Sequence, residues 1–382
     1  MNRFIVIVIF AFWLVIAASC RGDEVIFPTE GEFIVDFPSE DSSIGGFYLL
    51  NEGNMGSNKC TLDRFNYFTG LYQRNIYSEA NPGAVMELGD VGNDISIYGS
   101  KLYIVVNCSH KVEVLDASTA KRLAQIDIPN CRYICFEGEN AYVSSYIGPV
   151  GEDPNCPLGA VFRLDTLSLS ITGECTVGYQ PEEMAVVDGR LYVANSGGYR
   201  PPYYDSTVSE IDLTTFRELR KIEVAKNLHH VKKDGMGRLW VSSRGERESS
   251  APGGLYLLAP DSLGEMTLSQ TFKNMSVTNF AIHGENLYYF YAQGQGNAHY
   301  GTFDILTCKD KDSRFIDEET ASRIKMPYAI DVHPETGDIF LSDARNYVSS
   351  GTLYCLSPSG RVKWDVRTGD IPAAITFIPR GR

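Results

Sequence analysis

The chain is poor in positive charge. Across 382 residues, 34 Lys and Arg face 48 Asp and Glu, for a formal net charge of -14. A phosphate-backbone partner needs a basic footprint, so nucleic acid is excluded as a partner, while neutral ligands stay open. Motifs of the common enzyme chemistries are also missing. No nucleophile elbow, Walker loop or dinucleotide fingerprint lies in the strand-and-helix context that each requires. Gly294-Gln295-Gly296 is glycine-rich, but a loop between strands has no helix to cradle a phosphate. Cys131 and Cys135 do not form a CxxC pair, which speaks against zinc. Trp-Asp occurs once, at Trp364-Asp365, so the chain is not a WD40 array. Nor is there a disordered composition, since 43% of residues are hydrophobic and 12% aromatic.

What the chain does contain is a repeat. The stretch Gly189–Ser196 (GRLYVANS) reads as a turn, a short strand and a polar loop. Its relatives begin at Gly46, Ser100, Asn140, Gly237, Glu285 and Gly337. They align the aromatics Tyr48, Tyr103, Tyr142, Tyr192, Trp240, Tyr288 and Phe340. Seven copies at a spacing of roughly 50 residues, built from short strands, predict an all-β, seven-bladed β-propeller with four-stranded blades. Third strands often end in a polar turn, as in Val112–Thr119, Val161–Ser168 and Val208–Thr215, where an Asp can bond the backbone two positions on. Ala373–Ile378 reads as a last inner strand whose second strand is missing, and Gly46–Gly53 can supply it. The ring is therefore expected to close through the N-terminal strand, leaving no open edge.

The N-terminal residues have a separate logic. Arg3, the apolar run Phe4–Ala17 and the small residues Ala17-Ala18-Ser19 form a secretory leader too short to span a membrane. The Cys that follows resembles a bacterial lipoprotein site, with residues 1–19 removed and Cys20 lipidated; the alternative is a cleaved soluble secreted protein. Residues 20–43 then form an acidic tether, with Asp23, Glu24, Glu30, Glu32, Asp36, Glu40 and Asp41 against Arg21 alone. That pattern resembles the surface-export signals of Bacteroidetes lipoproteins, or is an ordinary solvated spacer. The propeller is expected over residues 44–382.

In such blades the loops from strand two to three and the loops leading into strand one share a face. Here that set is long and varied, while the opposite turns are short. The scaffold repeats but the rim residues do not, which is what one asymmetric ligand would require; a water-filled mouth is the plain alternative. The candidate ligand-binding residues are Asn93, Asp94, Asn107, His110, Arg132, Tyr133, Tyr146, Gln180, Glu182, Asn195, Tyr199, Tyr203, His230, Arg244, Asn279, Phe280, Tyr291, Tyr328 and Arg345. Strand neighbours point to opposite faces, so of His229 and His230 one is expected on the rim, and Glu182 and Glu183 are not expected to form an acid–base pair. Asp94, either of these Glu residues and a His could still meet across the channel as a hydrolase-like or lyase-like centre. The eight cysteines after Cys20 are compatible with disulfides in an exported chain, Cys108 with Cys131 for example, or with buried free thiols.

Several motifs together carry a resemblance: Asn51–Asn54 with Gly56–Asn58, Glu87–Asp94, Tyr103–His110, Pro129–Tyr133, Val177–Ala185, Tyr192–Tyr199 and Leu239–Gly245. They resemble the YncE-like propellers of gut Bacteroidetes, and within these the BtuG-like surface lipoproteins that capture cobalamin. The resemblance implies a non-enzymatic receptor, lipid-anchored at the outer-membrane surface. It would bind cobalamin as a ligand, with no cofactor, and hand it to a BtuB-like TonB-dependent transporter. Cobalt ligation by His230 or His299 is not expected. Two other classes remain: a surface binder of a glycan or protein, and a metal-dependent propeller lactonase or lyase whose metal Asn93, Asp94, Glu182 and Asn279 could hold.

Overall fold

The structure, a computed structural model, describes residues 29–381 apart from 39–41, 85–86, 248–252, 273–274, 293 and 312. The expected leader and Cys20 lie outside the described residues. From residue 44 the chain forms seven antiparallel sheets in sequence order. In six of them the strand nearest the channel is followed outward by the next three in sequence, as in Pro181–Val187, Arg190–Asn195, Thr207–Asp212 and Arg217–Glu223. This is the seven-bladed, four-stranded β-propeller that the repeat predicts.

The ring closes as expected. Pro372–Pro379 is the inner strand of a blade whose second strand is Ile44–Asn51, paired antiparallel from Ile44 opposite Pro379 to Asn51 opposite Pro372. Phe47, on that joining strand, is fully buried among Phe65, Phe340 and Phe377, with edge-to-face ring centroids 5.6, 5.2 and 6.5 Å away. The aligned second-strand aromatics are all buried. They fill the wedges between blades, and each large buried side chain contributes about 1.5–3 kcal/mol. Trp240 also satisfies its indole N–H, which donates to Asp234 Oδ2 at 2.9 Å.

The outer turns follow the sequence reading. Asp116 Oδ1 accepts from the backbone N–H of Ser118 and Thr119, Asp165 Oδ1 from Leu167 and Ser168, and Asp212 Oδ1 from Thr215. Hydrogen bonds from neighbouring Ser or Thr to the ionised form hold these three carboxyls below the usual range.

The segment read as a tether differs from a free spacer over its later residues. Glu30–Phe33 pairs with Leu71–Arg74 as a fifth, outermost strand. Ser42 Oγ and Ser43 N donate to the Glu335 carboxylate at 2.6 and 3.0 Å, and Lys363 lies 3.3 Å from Asp36. The physical reason is the open edge of the fourth strand, whose unpaired backbone groups take the strand that the chain offers. Because Glu30 lies opposite Arg74 and Phe33 opposite Leu71, this strap runs from the face of the long loops towards the face of the short turns.

Candidate functional site

The inner strands are irregular near the long-loop face. Register shifts interrupt their pairing with the second strands between Val143 and Ser145, Pro181 and Met184, Leu228 and Val231, and Pro327 and Ile330. Each bulge frees backbone N–H groups, and the sequence supplies acceptors for them. Ser144, Ser242 and Ser342 Oγ accept from Tyr133, His230 and Ala329 N at 3.1, 3.2 and 2.8 Å. Carboxylates of the preceding blade serve the next N–H. Asp94 Oδ2 accepts from Ile134 N at 2.9 Å, and Glu183 Oε2 accepts from Val231 N at 3.2 Å. Asp94 and Glu183 thereby become fixed features of the channel wall.

A cavity of about 700 Å³ occupies the channel at this face. Nine of the expected residues line it: Asn93, Asp94, Arg132, Tyr133, His230, Arg244, Asn279, Tyr291 and Tyr328. So do Glu183 and His229, which the sequence offered only as alternatives to Glu182 and His230, and Glu52, Lys232, Asp331 and Tyr347, which were not among the expected residues. Lys232 lies two positions past His230, so the period of two along a strand could have found it, whereas Asp331 lies three positions past Tyr328, beyond the register shift between Pro327 and Ile330. His229 and His230 correct the expectation of opposite faces. Both line the cavity, with ring centroids 3.7 Å apart, because the bulge between Leu228 and Val231 breaks the alternation.

Glu182 is the electrostatic centre of one wall, although it lies beneath the cavity lining. Its side chain is fully buried, while those of Arg132 and Arg244 are 14% and 39% exposed. Oε2 accepts from Arg132 Nε and Nη2 at 3.1 and 3.0 Å; Oε1 accepts from Arg244 Nη1 at 2.9 Å and Tyr146 O–H at 2.6 Å. Burial pushes the Glu182 carboxyl up, but Arg132 and Arg244 outweigh it and hold the group below its ordinary range. The Arg132 guanidinium also lies over the Tyr146 and Tyr133 rings, at 5.0 and 5.9 Å from their centroids.

The other groups titrate differently. Burial pushes Asp94 up to about 7, against the lowering effect of its bond from Ile134 N. Burial likewise raises Glu52, which accepts a hydrogen bond from Tyr328 O–H, and Asp331, opposed by Lys232. His230 Nδ1 lies 2.8 Å from Glu183 Oε2, yet burial keeps the imidazole below its ordinary value. His229 is driven well below by burial and then by Arg244, so it is neutral; its Nε2 is 2.9 Å from Tyr133 Oη.

The remaining expected residues lie elsewhere. Asn107 is buried, donating to Cys131 O at 2.9 Å, and Asn195 is buried, donating to Thr207 and Ser209. Gln180 is buried and its Oε1 accepts from Tyr199 N at 2.7 Å; Tyr199 packs edge-to-face on Tyr146 at 6.2 Å. Phe280 belongs to the core beside Trp240. Tyr203 is 64% exposed on its loop, and Arg345 bonds Thr352 Oγ1 at 2.9 Å. His110 lines a separate, shallower hollow with Met55, Cys108 and Ile147. These positions share the loops of the rim, but blade geometry turns their side chains into turns and core.

Among the described residues, no group of three or more His, Cys, Asp or Glu is placed to hold a metal ion. Three of the four residues offered for one have their oxygens engaged. Asp94 serves Ile95 and Ile134 N–H, Asn279 Oδ1 accepts from Phe280 N, and Glu182 holds its two guanidiniums. This donor set does not fit a metal cage. The eight described cysteines are free thiols.

The family profile described as "Domain of unknown function (DUF5074)" matches residues 45–354. No curated protein matches the chain. Among solved structures it is similar to a quinonprotein alcohol dehydrogenase-like protein of Bacteroides thetaiotaomicron, with 14% identity, 89% of this chain and 80% of that one covered, and a TM-score of 0.61. It is similar to a Bacteroides fragilis protein named provisionally as a 6-phosphogluconolactonase, with 13% identity, 90% and 100% covered, and a TM-score of 0.60. It is also similar to a periplasmic gluconolactonase of Pseudomonas aeruginosa, with 12% identity, 87% and 99% covered, and a TM-score of 0.57. At these identities the likeness is one of fold.

Proposed function

The chain belongs to the DUF5074 family, whose description assigns no activity, and from the geometry of its channel mouth we propose that it is a non-catalytic surface receptor for a corrinoid. The observation that carries the proposal is the make-up of the cavity wall. Tyr133, Tyr291, Tyr328 and Tyr347 offer aromatic faces beside fixed hydrogen-bonding groups of Asn93, Arg132, Arg244 and Asn279. A corrinoid presents an apolar ring bordered by amide arms, so it needs both. A volume of about 700 Å³ is within the range of small-molecule sites. The part of a larger ligand left outside would meet the long loops, where Met55, Leu158, Tyr203, Tyr347 and Val348 are exposed. A wall prearranged by the scaffold loses little entropy on binding, which favours affinity.

Delivery to a membrane-embedded, BtuB-like TonB-dependent transporter belongs to the same proposal. The strap begins at the mouth side of the propeller. Eight residues separate Cys20 from Thr29, and the nine steps between them reach about 30 Å at most. A lipid on Cys20 would therefore hold the mouth, rather than the opposite face, near the outer-membrane surface. A binding panel of cyanocobalamin, oligosaccharides and peptides tests the ligand class. Saturable binding of cyanocobalamin alone supports the proposal, and selective binding of an oligosaccharide or peptide overturns it.

One observation favours a second reading. Asp94, Glu183 and His230 line one cavity, and Glu183 orients the His230 ring through Nδ1. A carboxyl that burial pushes up to about 7 and an oriented imidazole in one cavity suit acid–base chemistry on a lactone or similar ester. Turnover of aldonolactones that is lost in His230→Gln would establish this reading in place of the first.

A further inference from the structure

One wall of the cavity specifies part of what binds there. Two guanidiniums share a single carboxylate there. Glu182 is saturated by four donors, from Arg132 Nε and Nη2, Arg244 Nη1 and Tyr146 O–H. Among the described residues no acceptor faces Arg132 Nη1 or Arg244 Nε and Nη2, although both side chains line the cavity. The arrangement is a fork already braced by Glu182, with N–H groups left over on two side chains that line the cavity. Within this cluster of three side chains two guanidiniums face one carboxylate, which leaves one positive charge in excess. The other carboxyls lining the cavity are Glu52, Asp94, Glu183 and Asp331. Burial raises Glu183, but Lys232 and His230 outweigh it, and His230 Nδ1 lies 2.8 Å from its Oε2. Asp94 accepts from Ile95 and Ile134 N–H. Asp331 is raised by burial and opposed by Lys232. Glu52, which accepts from Tyr328 O–H, is raised by burial against the pull of Arg132 and Arg244. Stacking of Arg132 over Tyr133 and Tyr146 restrains the guanidinium plane, so little freedom is lost when an acceptor arrives.

We infer that Arg132 and Arg244 form an oxyanion subsite, so that the natural ligand places a phosphate or carboxylate group against this wall. Guanidinium forks match both groups, with charge-assisted bonds stronger than neutral ones. Glu182 is the positioning residue of the pair: it fixes the two forks without touching the ligand. The inference rests on the reading of the mouth as a binding site but not on the ligand being a corrinoid; in a corrinoid with a nucleotide tail the oxyanion is its phosphodiester.

The test uses the full exported chain with ¹⁵N-labelled arginine, titrated separately with inorganic phosphate and with acetate at constant ionic strength. Saturable shifts are expected at two Nε–H resonances, those of Arg132 and Arg244. Arg244→Gln should remove one resonance and weaken the response of the other at least tenfold. Arg244→Lys, which keeps the charge and loses the fork, should lie between and serves if the glutamine variant does not fold. Shifts with phosphate alone identify a phosphate subsite, and shifts with acetate alone a carboxylate subsite. Linear, unsaturable shifts across many arginines, or an unchanged response in Arg244→Gln and Arg244→Lys, overturn the inference. Failure of cyanocobalamin to bind a protein that shows the two saturable shifts would refute the corrinoid reading and leave the oxyanion subsite standing.

Discussion

Replacing Glu182 by Gln tests whether the braced wall exists as described. The change keeps shape but leaves Arg132 and Arg244 without a counter-charge and Tyr146 with a weaker acceptor. Removing one partner of a buried pair costs about 3–5 kcal/mol. Arg244, 39% exposed, can rehydrate through the mouth, so its share falls towards the ~0–1 kcal/mol of a surface pair. Arg132, 14% exposed, carries most of the loss, for a total of about 2–4 kcal/mol. With an unfolding entropy of ~2.1 cal/mol/K per residue over about 340 residues, Tm should fall by ~3–6 °C. The pH dependence has a definite sign. The folded carboxyl sits below its unfolded value of about 4.3, so its stabilisation is present above that value and disappears as pH falls through the folded one. Calorimetric scans of both proteins at one rate should thus show the full gap at neutral pH and a closing gap in acid. A Tm change under ~1 °C, or a gap independent of pH, would refute the reasoning.

Other parts of the structure yield separate expectations. Phe47→Ala, at the strand that closes the ring, removes a fully buried ring and should cost ~3–5 kcal/mol in denaturant unfolding; a loss near that of a surface change would contradict closure through this strand. Asp94 should titrate near 7 by carbonyl NMR. Its folded value lies above the unfolded one, so this group lowers stability as pH rises from about 4 towards 7. A midpoint in the ordinary carboxylate range would refute the burial argument. Since the eight described cysteines are free, reductant should leave Tm unchanged and thiol titration in denaturant should find them all; a reductant-dependent Tm would reveal a disulfide.

Fold was legible in the sequence because the propeller repeats one physical unit. A buried aromatic on each second strand and an Asp at the outer turn recur in positions fixed by period and turn chemistry. The closing strand was legible for the same reason: an unmatched half-blade stood at each end. The site was legible in outline only. Rim positions such as Arg132, Tyr133 and Tyr328 reach the cavity. Other loop residues, such as Asn107 and Gln180, fold back, because polar side chains there satisfy buried backbone and neighbouring groups. The paired orientation of His229 and His230 depends on a bulge that strict alternation does not anticipate. The outer docking of Glu30–Phe33 is set by an edge left open in three dimensions, which a reading of acidic composition passes over.

A receptor of this kind holds one bulky molecule in its irregular mouth and leaves it chemically intact. Isothermal titration of the protein with cyanocobalamin, followed by recovery of the ligand, tests it most directly. The account predicts saturable binding at one molecule per chain, an unchanged corrin spectrum and loss of affinity in Tyr328→Ala. No heat of binding over the accessible concentration range, or recovery of a chemically altered ligand, would contradict it.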